Sequence, residues 1–208
     1  MEKSTDKPSP QRRIFVVVAL LILLVGFPLG SWYYLKGGVE WRKEALAELR
    51  DYGKIRAVHM VFPGNDRINR VGEKVCVIHN FGENPDLTEE NRFILNTGQR
   101  LFEQFGENPY FRFVVIKRQG TAAFKSHIQT LPSIDYATWV QHGALGSWST
   151  ILNNGYDKYC KDEGIRPTDQ FYALCDTTGT IRRFYNALDD KEIGRMVEHI
   201  AILLPPPE

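Results

Sequence analysis

An α/β domain carried behind one membrane-spanning helix is the architecture this sequence predicts, and three stretches predict it. Residues 14–35 carry no charged side chain. Residues 74–105 read as a buried strand, a tight loop and a long amphipathic helix, the opening of an α/β unit. Residues 171–204 read as a β-hairpin followed by a second amphipathic helix, closed by Pro205-Pro206-Pro207.

The first stretch, IFVVVALLILLVGFPL and its continuation to Leu35, is long enough at about 1.5 Å per residue to cross a hydrocarbon core of about 30 Å. Trp32-Tyr33-Tyr34 has the character of an interfacial aromatic belt, and no small-x-small cleavage site follows the apolar run, so the segment reads as an uncleaved anchor. Lys3, Lys7, Arg12 and Arg13 place residues 1–13 in the cytoplasm and the globular part, 54–208, outside it, in the periplasm if the membrane is a bacterial inner membrane. Between anchor and domain, 36–53 is expected to be a juxtamembrane helix and linker. Trp41, Ala45, Leu49 and Tyr52 share one face of it, and Gly53 closes it.

The second stretch begins with Val75, Cys76, Val77 and Ile78, a β-branched-rich run that suits a central strand buried on both faces. GENPD turns the chain, and Ile94, Gly98, Leu101, Phe102 and Phe105 then recur at helical spacing, with Asp86 or Thr88 placed to cap the first turn. YFRFVVI at 110–116 supplies the next strand of a parallel βαβ unit. Upstream, alternating Val58, Met60 and Phe62 before Pro63-Gly64-Asn65-Asp66 predict a hairpin. Residues 117–146 carry no clear period.

In the third stretch, Thr177-Thr178-Gly179 joins FYALCD to TIRRFY as a hairpin turn. Asp189-Asp190 starts a helix with Ile193, Met196, Val197, Ile200 and Leu204 on one face. With 208 residues, 43% of them hydrophobic and 25% charged, the chain can bury one ordinary core. A formal net charge of +1 with scattered Lys and Arg gives no electrostatic case for nucleic acid.

The loop at the carboxyl end of a central strand is where such folds place their chemistry. Here Phe81-Gly82-Glu83-Asn84-Pro85-Asp86-Leu87-Thr88 resembles the F-x-x-C-P-x-x-C segment of the Sco/SenC family, membrane-anchored thioredoxin-fold proteins that deliver copper to respiratory oxidases. The D-x-x-G-x-I-R-x-x-Y wording of the carboxyl-terminal hairpin resembles the same family, and Tyr156 stands for the tyrosine at the end of its preceding helix. The resemblance implies a thioredoxin-like domain over roughly 54–204, with the hairpin at 54–70 as its amino-terminal extension. It also implies three former copper-ligand positions: Asn84 and Thr88 for the two cysteines, flanking Pro85, and Thr168 for the histidine. None of these side chains is a soft donor, so the loop is expected to run neither dithiol exchange nor copper(I) binding. By the same resemblance, Gly82, Glu83, Asp86 and Pro167 are the candidate surface for gripping a protein partner.

Other sites read as structural. Cys76, Cys160 and Cys175 form no CxxC; Cys76 and Cys175 lie inside expected strands, and an oxidising compartment would permit a Cys160–Cys175 disulfide. His59, His79, His127, His142 and His199 show no ligand spacing, and His79 near the strand end reads as a hydrogen-bonded core histidine. Glu83, Asp86, Glu89 and Glu90 read as carboxylates favoured at a helix amino terminus rather than as a divalent-metal site. No metal, no cofactor and no catalytic constellation is expected. Three functions are carried forward: a redox-inactive binding or assembly factor for a respiratory oxidase or its copper chaperone; a thiol oxidoreductase or peroxidase using Cys160 or Cys175; and a structural subunit of a membrane complex.

Overall fold

The computed structural model describes residues 10–55, 60–62, 65–69, 73–82, 85–117, 120–131, 135–138 and 144–205. Val58, His59, Pro63, Gly64, Glu83, Asn84 and His142, which figure in the expectations above, lie outside the described residues. Two compact units are present, divided between Glu44 and Ala45.

The first unit is helical. Helix α1 (Pro10–Leu21) passes through a π-helical turn at Ile22–Gly26 into α2 (Phe27–Glu48). Pro28 explains the π turn: it lacks an N–H and its ring crowds the carbonyl four residues back, a conflict that a widened turn just upstream relieves. The helix Val17–Glu48 contains a stretch long and apolar enough to cross a membrane, and its large aliphatic and aromatic side chains are exposed.

The expected separate helix over 36–53 is not formed. Gly37-Gly38 does not interrupt α2, which runs on to Glu48 and stops there. Ala45, Leu49 and Tyr52 are buried in the second unit, so the compact domain begins nine residues earlier than the expected start at 54. The physical reason is sheet pairing. Past Glu48 the backbone extends beside the carboxyl-terminal hairpin, where Arg50 and Tyr52 N–H groups donate to the Arg182 and Ile181 carbonyls and Ile181 N–H donates to the Gly53 carbonyl. Gly53, at a φ of +128°, thus sits in a segment paired with β7 rather than closing a helix, and the segment covers a sheet edge that would otherwise be open.

In the second unit, β1 (Met60–Phe62) and β2 (Asn65–Asn69) form the expected amino-terminal hairpin as a two-stranded antiparallel sheet. The main sheet comprises β3 (Val75–Asn80), β4 (Phe111–Lys117), β5 (Asp135–Thr138), β6 (Phe171–Cys175) and β7 (Ile181–Asn186), in the order β5-β4-β3-β6-β7. β3 is central, β4 and β5 run parallel to it, and β6 and β7 form the antiparallel hairpin. The expected strands therefore share one sheet, with β5 as an edge that the sequence did not announce.

Alternation along β3 assigns the layers. Val75 and Val77 face α3 (Glu89–Phe105), α4 (Ala122–Gln129) and α6 (Asp190–Leu203) through Ile94, Phe124, Met196 and Ile200. Cys76 and Ile78 face α5 (Ala144–Glu163) through Trp148, Leu152, Tyr156 and Tyr159. Gly98 lets α3 approach the sheet closely, since a Cβ there would lie 2.3 Å from the Phe113 ring. The β6–β7 turn requires Gly179, whose φ is +78° and whose position leaves no room for a Cβ beside the Ile55 carbonyl.

Candidate functional site

Because β3 is central and parallel to β4, its carboxyl end opens at the edge where α3 and α4 begin and where the chain enters β6. Asn80 shapes the exit: its side-chain amide donates to Ser149 Oγ at 3.0 Å, and its carbonyl oxygen accepts from Gly82 N–H at 3.0 Å. Gly82 takes a φ of +74°, which suits glycine at this reversal.

Pro85, at the far side of the loop, is buried, and its carbonyl accepts from Thr121 N–H at 3.1 Å. Asp86 is exposed, with its carboxylate accepting from Leu87 N–H at 2.8 Å and from Thr121 Oγ1 at 3.0 Å. Thr88, not Asp86, is the cap of α3, its hydroxyl accepting from Asn91 N–H at 3.1 Å. Thr121 caps α4 in the same way, so two helix amino termini are stitched together through Asp86.

Beneath the loop lies His79. It is 1% exposed, and its Nδ1–H donates to the Phe171 carbonyl at 2.8 Å, in keeping with a core histidine. The ring meets Phe81 and Tyr172 edge-on at 4.3 and 5.5 Å. Burial lowers its pKa to about 4, against the opposing pull of the Phe171 carbonyl and Gln170, so the ring is neutral near pH 7.

Thr168 lies on the segment that enters β6. Its N–H donates to the Tyr156 hydroxyl at 2.9 Å, its own hydroxyl is 3.0 Å from the same oxygen, and it reaches the Gln170 carbonyl at 3.2 Å. Tyr156 stacks on Phe171 at 4.0 Å, and burial raises its pKa. Beside them an open recess of about 290 Å³ is lined by Tyr159, Arg166, Arg183 and Glu192, among others. Pro167 is exposed. Among the described residues, the side-chain and capping hydrogen bonds that leave the 82–88 loop run to Asn80, Asn91 and Thr121, not to 166–170, so Asp86 and Pro167 are not joined by any direct bond.

The donor set does not fit copper(I). Thr88 and Thr168 offer hydroxyl oxygens already engaged in a helix cap and a tyrosine hydrogen bond, and soft copper(I) selects thiolate and imidazole. Among the described residues, no three His, Cys, Asp or Glu side chains group as a metal site would need. The purified protein is expected to take up copper(I) no better than a generic surface; competition against a chromogenic copper(I) chelator checks this. Stoichiometric uptake surviving triple replacement of Cys76, Cys160 and Cys175 would overturn it.

Nor is a nucleophilic thiol presented. Cys76, Cys160 and Cys175 are all buried thiols; burial raises the pKa of Cys160 and pushes Cys175 well above the ordinary thiol value. None of the three cysteines is in a disulfide in this structure. Strand register sets Cys175 opposite Cys76, while Cys160 lies on α5 beside Tyr156.

One cluster went unanticipated. Glu48 Oε1 accepts from Arg195 Nη2 at 2.6 Å, and its Oε2 accepts from Arg195 Nε at 3.2 Å and pairs with Arg183 Nη1 at 2.8 Å. Buried His199 presents Nε2 to the same carboxylate at 3.6 Å and Nδ1 to the Tyr185 hydroxyl at 2.7 Å. The one signal in the sequence was Arg195 and His199 at i, i+4, bordering the apolar face of the last helix.

The geometry is that of a thioredoxin-like fold, and the solved structures agree. The chain superposes with TM-score 0.51 and 10% identity on BsSco, described as a member of the Sco family of cytochrome c oxidase assembly proteins, over 74% of this chain and 94% of that one. Looser matches include a SCO1/SenC family lipoprotein from Bacillus anthracis (TM-score 0.45, 12% identity, 65% and 84% covered). A DsbE-type thiol:disulfide interchange protein from Chlorobium tepidum matches at TM-score 0.46 and 10% identity, with 76% and 99% covered. No family model and no curated protein matches the sequence.

Proposed function

We propose that this chain is a redox-inactive, Sco-like thioredoxin-fold protein, anchored in a bacterial inner membrane with its amino terminus in the cytoplasm and its domain in the periplasm. It acts as a binding or assembly factor for a respiratory cytochrome oxidase. The observation that supports this reading is that Thr88 and Thr168, the described residues at the ligand positions the Sco resemblance implies, hold hydroxyls engaged in a helix cap and in hydrogen bonds with Tyr156. The oxidase rests on the resemblance of the loop and hairpin to Sco proteins and on the structural likeness to BsSco, a member of a family of cytochrome c oxidase assembly proteins. Burial of all three thiols weighs against an oxidoreductase or peroxidase.

Gly82, Glu83, Asp86 and Pro167 are proposed as the gripping surface. Full-length protein extracted from its native membranes in mild detergent is expected to bring oxidase subunits with it. Glu83→Lys should reduce that recovery several-fold with thermal stability within about 1 kcal/mol of the parent. Recovery unchanged by Glu83→Lys but abolished by Trp41→Ala would transfer the contact to the membrane side, as a structural subunit requires. Absence of oxidase subunits from every preparation would remove the assembly reading.

A further inference from the structure

β3 and β6 run antiparallel with Cys76 directly opposite Cys175, and both residues are fully buried. Both belong to the cluster that packs under α5, so they point to the same face of the sheet. Directly opposed residues of an antiparallel ladder have Cα atoms about 4.5 or 5.5 Å apart, depending on the pair type. Either spacing falls within the roughly 4.4–6.8 Å that disulfides span. Cys160 lies on α5, outside the ladder, and engages Tyr156 instead.

We propose that Cys76 and Cys175 form a disulfide as the domain folds, cross-linking the central strand to the carboxyl-terminal hairpin; the event in the cell rests on the extracytoplasmic placement proposed above. The oxidant is a disulfide-bearing carrier, protein or small molecule. One cysteine thiolate attacks a carrier sulfur, forming a mixed disulfide and releasing the carrier's other sulfur as a thiolate. The second cysteine, deprotonated, attacks the first cysteine's sulfur and expels the remaining carrier sulfur. Two electrons and two protons pass from the cysteines to the carrier, which leaves as a dithiol or as two thiols.

Timing follows from burial. In the assembled sheet neither sulfur is reachable, and apolar surroundings disfavour the thiolate, so exchange takes place before β6 docks on β3. Once enclosed, the bond is shielded from reductants. A domain folded in the reduced form should equally stay reduced.

The test uses the full-length chain solubilised in detergent without reductant and alkylated with N-ethylmaleimide under denaturing conditions. One alkylated cysteine, Cys160, is expected before reduction and three after it, with mass mapping joining the Cys76 and Cys175 peptides. Cys160→Ser should leave that link intact. Three alkylated cysteines in protein that a fusion reporter places outside the cytoplasm, or a link that includes Cys160, would overturn the proposal. Refolding the reduced chain in micelles with a glutathione disulfide and thiol mixture separates pairing from location. The link should form there whatever the compartment, and the oxidised protein should melt several degrees above the reduced one, because the bond closes a loop of roughly 100 residues. Three thiols after oxidative refolding overturn the pair itself. A link made in refolding, absent from cells and accompanied by a cytoplasmic reporter signal, supports the pair and overturns the location.

Discussion

Glu48→Ala is expected to lower the unfolding free energy by about 2–3 kcal/mol, measured by urea titration of the full chain in detergent. Glu48 is the last residue of α2, where the helix dipole is negative and a carboxylate is unwelcome unless something cationic holds it. Arg195 does so with both carboxylate oxygens and Arg183 with one, and their hydrogen bonds and charges hold the Glu48 carboxyl below the usual carboxylate range. Removing Glu48 takes the carboxylate partner from Arg183 and leaves Arg195 with Glu198 alone, their side chains only 13% and 24% exposed, beside buried His199. Breaking a fully buried ion pair from one side costs about 3–5 kcal/mol, and the expected loss is smaller because solvent reaches a cluster whose carboxylate is 34% exposed. Since stranded charge is the source of the cost, Arg195→Met should cost markedly less in the Glu48→Ala background than alone. Strict additivity of the two substitutions would show that the carboxylate and guanidinium act independently.

The contrast between this cluster and the sheet indicates what is legible in the amino-acid sequence. Val75 to Ile78 reads as a strand buried on both faces because every residue in the run is apolar, and the last hairpin is legible because Gly179 and Asp176 mark its turn. Residues 117–146 are not legible: α4 has eight residues and β5 four, too short for either period to emerge. The end of α2 is hidden because Ala45, Leu49 and Tyr52 continue a helical period, whereas pairing with β7 draws the backbone out of the helix after Glu48. Among the site residues, the sequence marks Thr88 as one of two possible caps, whereas Thr168 is singled out only through the Sco resemblance. The contacts of Thr168 with Tyr156, and of Asp86 with Thr121, emerge only from the fold. Glu48 and Arg195 lie 147 positions apart, and nothing local to either announces the other.

Acid should destabilise the domain strongly, and two buried rings should account for most of the effect above pH 5. Desolvation is the first cause of the lowered pKa at both His79 and His199, with the Arg195 charge next at His199, and each falls to about 4. An unfolded histidine titrates near 6.5, so between about pH 6.5 and 4 the unfolded chain binds more protons than the folded one. Stability from each neutral ring is therefore complete above pH 6.5 and is lost as the pH falls toward 4. Between pH 7.5 and 5 the linkage amounts to about 2 kcal/mol per ring, roughly 4 kcal/mol together. Glu48 adds loss in the same direction only at lower pH, because its depressed pKa contributes stability above the ordinary carboxylate range that vanishes as it protonates. The groups facing His199 are Tyr185 on β7, Glu48 at the end of α2, Arg183 on β7, and Arg195 and Glu198 on α6; only Glu48 and Glu198 favour its charged form. Urea midpoints of the full chain at pH 7.5 and 5 measure the total. His79→Gln and His199→Gln should each remove about half of the pH dependence, whatever either does to stability at pH 7.5. A parent protein equally stable at both pH values would mean that the rings reach solvent or gain a proton-accepting partner on folding, contrary to the burial of His79 at the end of β3 and of His199 on α6.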